Sequence, residues 1–382
     1  MPILDDVLRP APIVVIVEVY GVAENGVMRI YPTLEQVQNA LQIAALQAAQ
    51  NPNAPIIIQF QASNLTLSIH ELILVLEDSM LLAMANTSNV SICLYAGHLG
   101  ALTVHEPQVV RLSALNGDVI ELSVARHGNV AQIRVEVDGN NFSLPNLRIT
   151  LPNMGSGNVP ELTNLNGVTD IIRKSIVENG TVYAIINSPG DITLTQVNVV
   201  FDDVTQGQWF YRAVDFVTCR NLFIGVGERE FSPNSDMTRA MMTNVLYNLS
   251  DDVAPHAAPS FNDVVIGQWY ADAIAWAYRV NIVHGYGNGN FGPSDSITRE
   301  QMAVILMRYA NYFGISTVER GNIAAFRDGN EVSDWAIDAM RWAVGAGLII
   351  GHDNALSPRN HATRAEIAQL YARFIEYLVR TI

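Results

Sequence analysis

Lysine is almost missing from this chain: of 22 basic residues 21 are arginine, and Lys174 stands alone. The 37 acidic residues outnumber them and leave a net charge of −15. Nucleic-acid binders draw most of their affinity from neutralised phosphates and carry a basic excess or stripe, so neither DNA nor RNA is expected as a partner. An acidic polymer would have to be held by a few placed arginines, whose planar fork suits a carboxylate. Cysteine is scarce too. Cys93 and Cys219 lie 126 positions apart with no metal-ligand spacing, and they read as two small buried residues without a disulfide. Long apolar runs are also lacking: none reaches the roughly 18 residues of a membrane span, and the nearest, Ile13 to Val17, stops at Glu18. The Met1–Asp6 start has neither the basic region nor the apolar segment of an export signal. The expectation is a fragment or a mature form.

What is present is core material. A hydrophobic content of 49% over 382 residues suits two or three packed domains. Up to residue 127, strand and helix patterns alternate. Ile13–Tyr20 is β-branched and reads as a strand, and Thr33–Gln50 has a helical stripe with Thr33 as N-cap and Pro52 as a stop. Ile56–Ala62 and Leu65–Ile69 read as paired strands, Glu71–Met84 and Pro107–Leu115 as helices, and Val90–Tyr95 and Ala101–Val104 as strands. Val119–Ala125 and Val130–Val137 pair across the Arg126-His127-Gly128-Asn129 turn. The helical period then disappears and short alternating segments continue to about Val199. The fold class is α+β multidomain, with an α+β domain over 1–127, a β-rich connector over 128–200 and a helical domain over 201–382.

The last domain is one unit written three times. Phe201-Asp202-Asp203-Val204 returns as Phe261-Asn262-Asp263-Val264 and as Phe326-Arg327-Asp328-Gly329. Trp209, Trp269 and Trp335 each precede a glycine, Gly225, Gly285 and Gly351, by 16 positions. Pro233, Pro293 and Pro358 each precede a Thr-Arg pair by five: Thr238-Arg239, Thr298-Arg299 and Thr363-Arg364. The spacing is 60 residues from Phe261 back to Phe201 and 65 from Phe326 back to Phe261, the excess falling around Gly314–Ala325.

Each copy reads as helix, loop, helix. The first helix starts near the tryptophan, with Ile274, Ala277, Tyr278 and Ile282 as its apolar stripe in copy two, and ends before the glycine, which suits a left-handed turn. The threonine is the N-cap of the second helix. Gln301 and Glu366 complete capping boxes in copies two and three, whereas Met241 leaves copy one without that bond. An arginine in the first turn opposes the helix dipole at about 0.3 to 1 kcal/mol, so something compensates Arg239, Arg299 and Arg364. Two readings stand: an ion pair with Asp203, Asp263 or Asp328, or an anion site combining the guanidinium with free N–H groups. Trp209, Trp269 and Trp335 divide likewise between core packing and a platform for a sugar ring.

The pattern Phe-x-Asp-Val, Trp-Tyr, Ala-Ile, Gly-Tyr-Gly-x-Gly-x-Phe-x-Pro, Ile-Thr-Arg-Glu, nearly whole from Phe261 to Met302, resembles the S-layer homology repeat of bacterial surface proteins. The resemblance covers repeats at about 201–250, 261–313 and 326–377. It implies an all-α pseudo-threefold bundle whose grooves hold acidic, often pyruvylated, secondary cell wall polysaccharide, and a place at the cell wall or surface layer. It further implies that Arg239, Arg299 and Arg364 face the acidic group, with the three tryptophans and Gly285-Tyr286-Gly287 shaping the grooves. Copy one lacks the Gly-Tyr start and copy three has Ala336 beside its tryptophan, so unequal sites are expected, the best around copy two. The stretch Ile171–Gly180 is more loosely similar to the segment preceding such repeats in surface proteins of Gram-positive bacteria.

No catalytic motif is found, and no cofactor or metal is called for: Gly287–Gly292 fits a dinucleotide pattern without its strand and helix, and the eight histidines lack metal spacing. The reading is a noncatalytic anchor. Its rivals are a wall-targeted enzyme with its catalytic domain in residues 1–127, and a structural protein that self-associates in a surface layer through strand edges.

Overall fold

The computed structural model describes residues 11–52, 54–115, 117–251 and 261–380. The Met1–Asp6 start lies outside them. The chain divides into two compact units, Pro10–Val197 and Asn198–Thr381.

Among the described residues the first unit contains sixteen strands: β1 Ile13–Val19, β2 Val22–Glu24, β3 Val27–Ile30, β4 Ile56–Ala62, β5 Glu71–Glu77, β6 Val90–Tyr95, β7 Ala101–Val104, β8 Val119–His127, β9 Val130–Val137, β10 Asn140–Asn141, β11 Leu147–Leu151, β12 Val159–Asn164, β13 Thr169–Ile171, β14 Ser175–Glu178, β15 Thr181–Ile186 and β16 Gly190–Thr195. Three helices join them: α1 Leu34–Ala48, α2 Asp78–Ala85 and α3 Glu106–Ser113. One sheet runs β1-β4-β6-β7-β11-β15-β14, the other β13-β12-β16-β9-β8-β5-β3-β2 with β10 beside β9. In β1 the alternation buries Ile13, Val15, Val17 and Val19, and they join one hydrophobic cluster fed by both sheets and the helices. Thr33 caps α1 in a full capping box with Gln36.

Three expectations change here. Glu71–Met84 is a strand followed by a helix: Leu72 to Leu76 are all buried, and a short, wholly apolar run has no period to separate strand from helix. Leu65–Ile69 forms no strand, and β4 pairs in parallel with β1 and β6 instead. The boundary at residue 127 disappears, because β9 pairs with both β8 and β16 while β11 pairs with both β7 and β15. Strands after 127 complete both sheets, so the expected connector is part of one β-rich unit. Cys93 and Cys219 are buried and form no disulfide among the described residues.

The second unit is helical: α4 Tyr211–Cys219, α5 Arg239–Ser250, α6 Ala271–Arg279, α7 Arg299–Tyr312, α8 Ile337–Gly345 and α9 Arg364–Arg380. Each copy supplies two, and the packing between copies is cyclic: α5 on α6, α7 on α8, and α9 back on α4. Backbone hydrogen bonds close the same ring. Ile297 N donates to Met237 O at 2.9 Å, Ala362 N to Ile297 O at 3.1 Å, and Met237 N to Ala362 O at 3.0 Å. Thr298 with Gln301 and Thr363 with Glu366 form capping boxes, while Thr238 caps α5 without one. The stripe of α6 buries Ile274 and Ala277, and Ile282 beyond it, but leaves Tyr278 41% exposed. The left-handed residue directly after the first helix is Asn221, Asn281 or Gly347; of the glycines four positions later Gly351, at φ 72°, takes the expected left-handed conformation, while Gly225 and Gly285 do not. Gly225 and Gly285 serve space instead: a Cβ on Gly285 would stand 2.5 Å from both the Asn290 carbonyl and the Phe261 ring. Among the described residues no helix is long and apolar enough to cross a membrane.

Candidate functional site at the junctions between copies

The loop joining the two helices of each copy is held by its own aspartate. Asp263 accepts from Phe291 N and Gly292 N at 2.8 Å each, Asp203 from Phe231 N and Ser232 N, and Asp328 from Leu356 N and Ser357 N at 2.8 and 2.7 Å. Burial acts to raise the Asp328 carboxyl, but those two N–H donors, its own backbone N–H and the charge of Arg327 together outweigh it and hold the group below the ordinary carboxylate range. These aspartates are spent on backbone, so the ion pair with the arginine of the same copy does not form.

The arginines reach forward into the next copy. Arg239, 5% exposed, donates from Nε to Phe291 O at 3.0 Å and from Nη2 to His284 O at 2.9 Å. Arg364, 6% exposed, does the same across the closing junction, to Phe231 O and Ile224 O at 2.8 Å each. Arg299 donates from Nε to Leu356 O at 2.8 Å. Carbonyl dipoles of the following copy are therefore what compensates a cation at a helix N-terminus. The guanidinium of Arg239 also lies 4.6 Å from the Phe291 ring centre and 4.9 Å from that of Tyr286, which suits cation–π attraction. Burial holds Arg239 below its ordinary value, with Tyr286, Asp295 and Asp263 pulling the other way.

The tryptophans stand outside the core. Trp209, Trp269 and Trp335 are 62, 56 and 59% exposed, whereas Trp276 and Trp342 fill the interior. At the junction of copies two and three, Glu300, next to Arg299, accepts from Ser333 N and Oγ at 2.9 Å, two residues before Trp335. The exposed ring thus belongs to the same junction as the preceding copy's arginine. A junction combines the second helix of one copy with the tryptophan turn and glycine loop of the next.

The S-layer homology domain model matches residues 200–241, 260–303 and 325–368, one match for each copy. The chain carries three S-layer homology domains. It is 34% identical over 179 residues to an amylopullulanase of Thermoanaerobacterium thermosulfurigenes, covering 46% of this chain and 9% of that protein. To exoglucanase XynX of Acetivibrio thermocellus it is 34% identical over 182 residues, 47% of this chain and 16% of the relative. To S-layer protein sap of Bacillus anthracis it is 30% identical over 177 residues, 45% and 21%. The chain spans a small part of each of these relatives, and the enzymes match over the S-layer homology region alone. These domains are noncatalytic and place the chain at the extracellular surface, in association with the cell wall or surface layer.

The three S-layer homology junctions differ. Between domains one and two, Arg239 meets Gly285-Tyr286-Gly287, Tyr286 is 49% exposed, and its hydroxyl donates to Asp295 at 3.0 Å. Arg239 Nη1 has no partner among the described residues. Between domains two and three, Arg299 Nη1 is occupied by Glu366 at 3.1 Å. Gly351 there bears His352 where Tyr286 stands in domain two, and Gly225 bears Val226 at the closing junction. The residues expected to gather around copy two are thus split: Arg299 goes to the loop of copy three, and the Gly-Tyr-Gly loop receives Arg239. Sequence reading also missed the phenylalanines 201, 261 and 326 as the reason for the glycines. Their fixed distance of 24 residues from Gly225 and Gly285 was the available signal.

Proposed function

We propose that the second unit is a noncatalytic anchor whose three domains form a pseudo-threefold bundle, and that its grooves hold an acidic secondary cell wall polysaccharide, a pyruvylated one included. The closed ring of hydrogen bonds through Met237, Ile297 and Ala362 supports the bundle. The reading rests on one observation: the junction of domains one and two brings an arginine with a free Nη1 together with a half-exposed tyrosine, beside a domain whose tryptophan is solvent-exposed. A guanidinium edge meets a carboxylate and aromatic faces meet sugar rings. Arg239, Trp269, Tyr286, Gly285 and Gly287 shape this first groove. Arg299, Trp335 and Asp328 belong to the second, and Arg364, Trp209 and Asp203 to the third. Pull-down of the chain on purified wall polymer, with and without its pyruvyl groups, tests this. Strong retention on the pyruvylated polymer alone is expected, and equal or absent retention on both contradicts acid recognition.

A second role, self-association in a surface layer, draws on β1. It is the edge strand of its sheet among the described residues and leaves Val14 and Ile16 43 and 53% exposed. Light scattering that rises with concentration supports it, and a constant monomer mass refutes it. The first unit is read as noncatalytic. Hydrolysis of peptidoglycan or xylan by the chain would overturn that.

A further inference from the structure

Domain three carries a further feature along its lead-in and first helix. A depression of about 580 Å3 is lined there by Ile323, Phe326, Ile337, Asn330, Arg327 and Arg341 among others, every one of them from the lead-in and first helix of copy three. The lead-in is the extra length found before this copy alone. It lies against the domain backbone to backbone: Gly321 N donates to Arg341 O at 2.7 Å, a Cβ on Gly345 would stand 2.7 Å from Gly321 N, and one on Gly329 would stand 2.0 Å from Ile323 O. Glycine permits these approaches. Ile323, Phe326 and Ile337 supply the larger apolar side chains of the depression's lining.

The charge at this place reverses along the repeat. One residue after the leading phenylalanine stand Asp202, Asn262 and Arg327, and six residues after the tryptophan stand Asp215, Ala275 and Arg341. Copy one is acidic at both positions, copy two neutral and copy three basic. In copy one Asp202 is paired with Arg229 Nε at 2.8 Å. In copy three both guanidinia are exposed, and neither donates a hydrogen bond or forms an ion pair with a described residue. The neighbouring Asp328 carboxylate is already taken by Leu356 N and Ser357 N. Two exposed forks share this depression with no hydrogen-bond or ion-pair partner among the described residues, although the Asp328 charge acts on Arg327; in a chain of net charge −15 they are placed for an anion and not for general attraction.

We propose that this depression is a second binding site, separate from the grooves, for a carboxylate or phosphate carried on a body with an apolar face. The site takes the acidic group between Arg327 and Arg341 and lays the apolar face on Ile323, Phe326 and Ile337. Calorimetric titration of the full chain with galacturonate, and separately with inorganic phosphate, tests it and tells the two acids apart. Saturable binding of at least one probe is expected. It should weaken at least tenfold in Arg341→Asp, which installs the copy-one residue, and at least as much in Arg327→Ala with Arg341→Ala. Thermal unfolding should be unchanged in these surface variants. Trp269→Ala, which impairs the first groove, should leave this binding intact, so the two sites fail separately. Absence of saturable binding by both probes, or titrations indifferent to the loss of both arginines, overturns the proposal.

Discussion

Replacing Arg239 with alanine removes a cation from the first turn of α5, where the helix dipole disfavours it by about 0.3 to 1 kcal/mol. On that ground alone the variant would be more stable. The structure predicts the opposite. Two charge-assisted hydrogen bonds, to Phe291 O and His284 O, are lost, each contributing about 1.5 to 3 kcal/mol, and both carbonyls are left without that donor. Setting the dipole gain against these losses leaves a destabilisation of about 2 to 6 kcal/mol. The damage should appear in the next copy: hydrogen exchange should accelerate in the loop 284–292 of domain two, not only in α5. Denaturant unfolding gives the magnitude and exchange mass spectrometry the location. A loss under about 1 kcal/mol, or one confined to domain one, would refute the inter-domain clamp and return Arg239 to a role in ligand contact alone.

Other outcomes follow from the same geometry. Gly285→Ala, whose Cβ meets the Asn290 carbonyl and Phe261 at 2.5 Å, should destabilise by about 1 to 3 kcal/mol in urea titrations. Asn281→Ala at φ 65° should cost about 1 to 2 kcal/mol, and Asn281→Gly almost nothing, by thermal melting. The Asp328 carboxyl is depressed on folding, so its contribution is complete above the unfolded value of about 3.9 and is lost as pH falls through the lower folded value. Asp328→Asn should therefore flatten the acid limb of the stability curve, and an unchanged limb would count against the loop cap. Trp269→Ala should leave the unfolding midpoint within about 1 kcal/mol of the parent, its ring being more than half exposed, while weakening polymer binding at least tenfold.

The repeat was the most legible part of the sequence, because Phe, Trp, Gly, Pro and Thr-Arg recur at spacings set by local helix ends and loops. The capping boxes at Thr298 and Thr363 were readable for the same reason: their partners lie three residues away. What was hidden is non-local. That Arg239 belongs with Tyr286 and not with Asp203 depends on which copy packs on which, and no spacing within a copy encodes it. The first unit shows the same limit, since β11 pairs back with β7 across a change of composition that looked like a domain boundary. Glu71–Glu77 misled by being apolar on both faces, whereas β1, with one face exposed, declared itself.

The central claim is that the S-layer homology domains hold an acidic wall polymer in the groove between domains one and two. Titration of the purified polymer into the parent chain and into Trp269→Ala, each shown by thermal melting to be folded, tests it most directly. The account predicts saturable binding by the parent and at least a tenfold loss in the variant. Equal affinity in the two would contradict it.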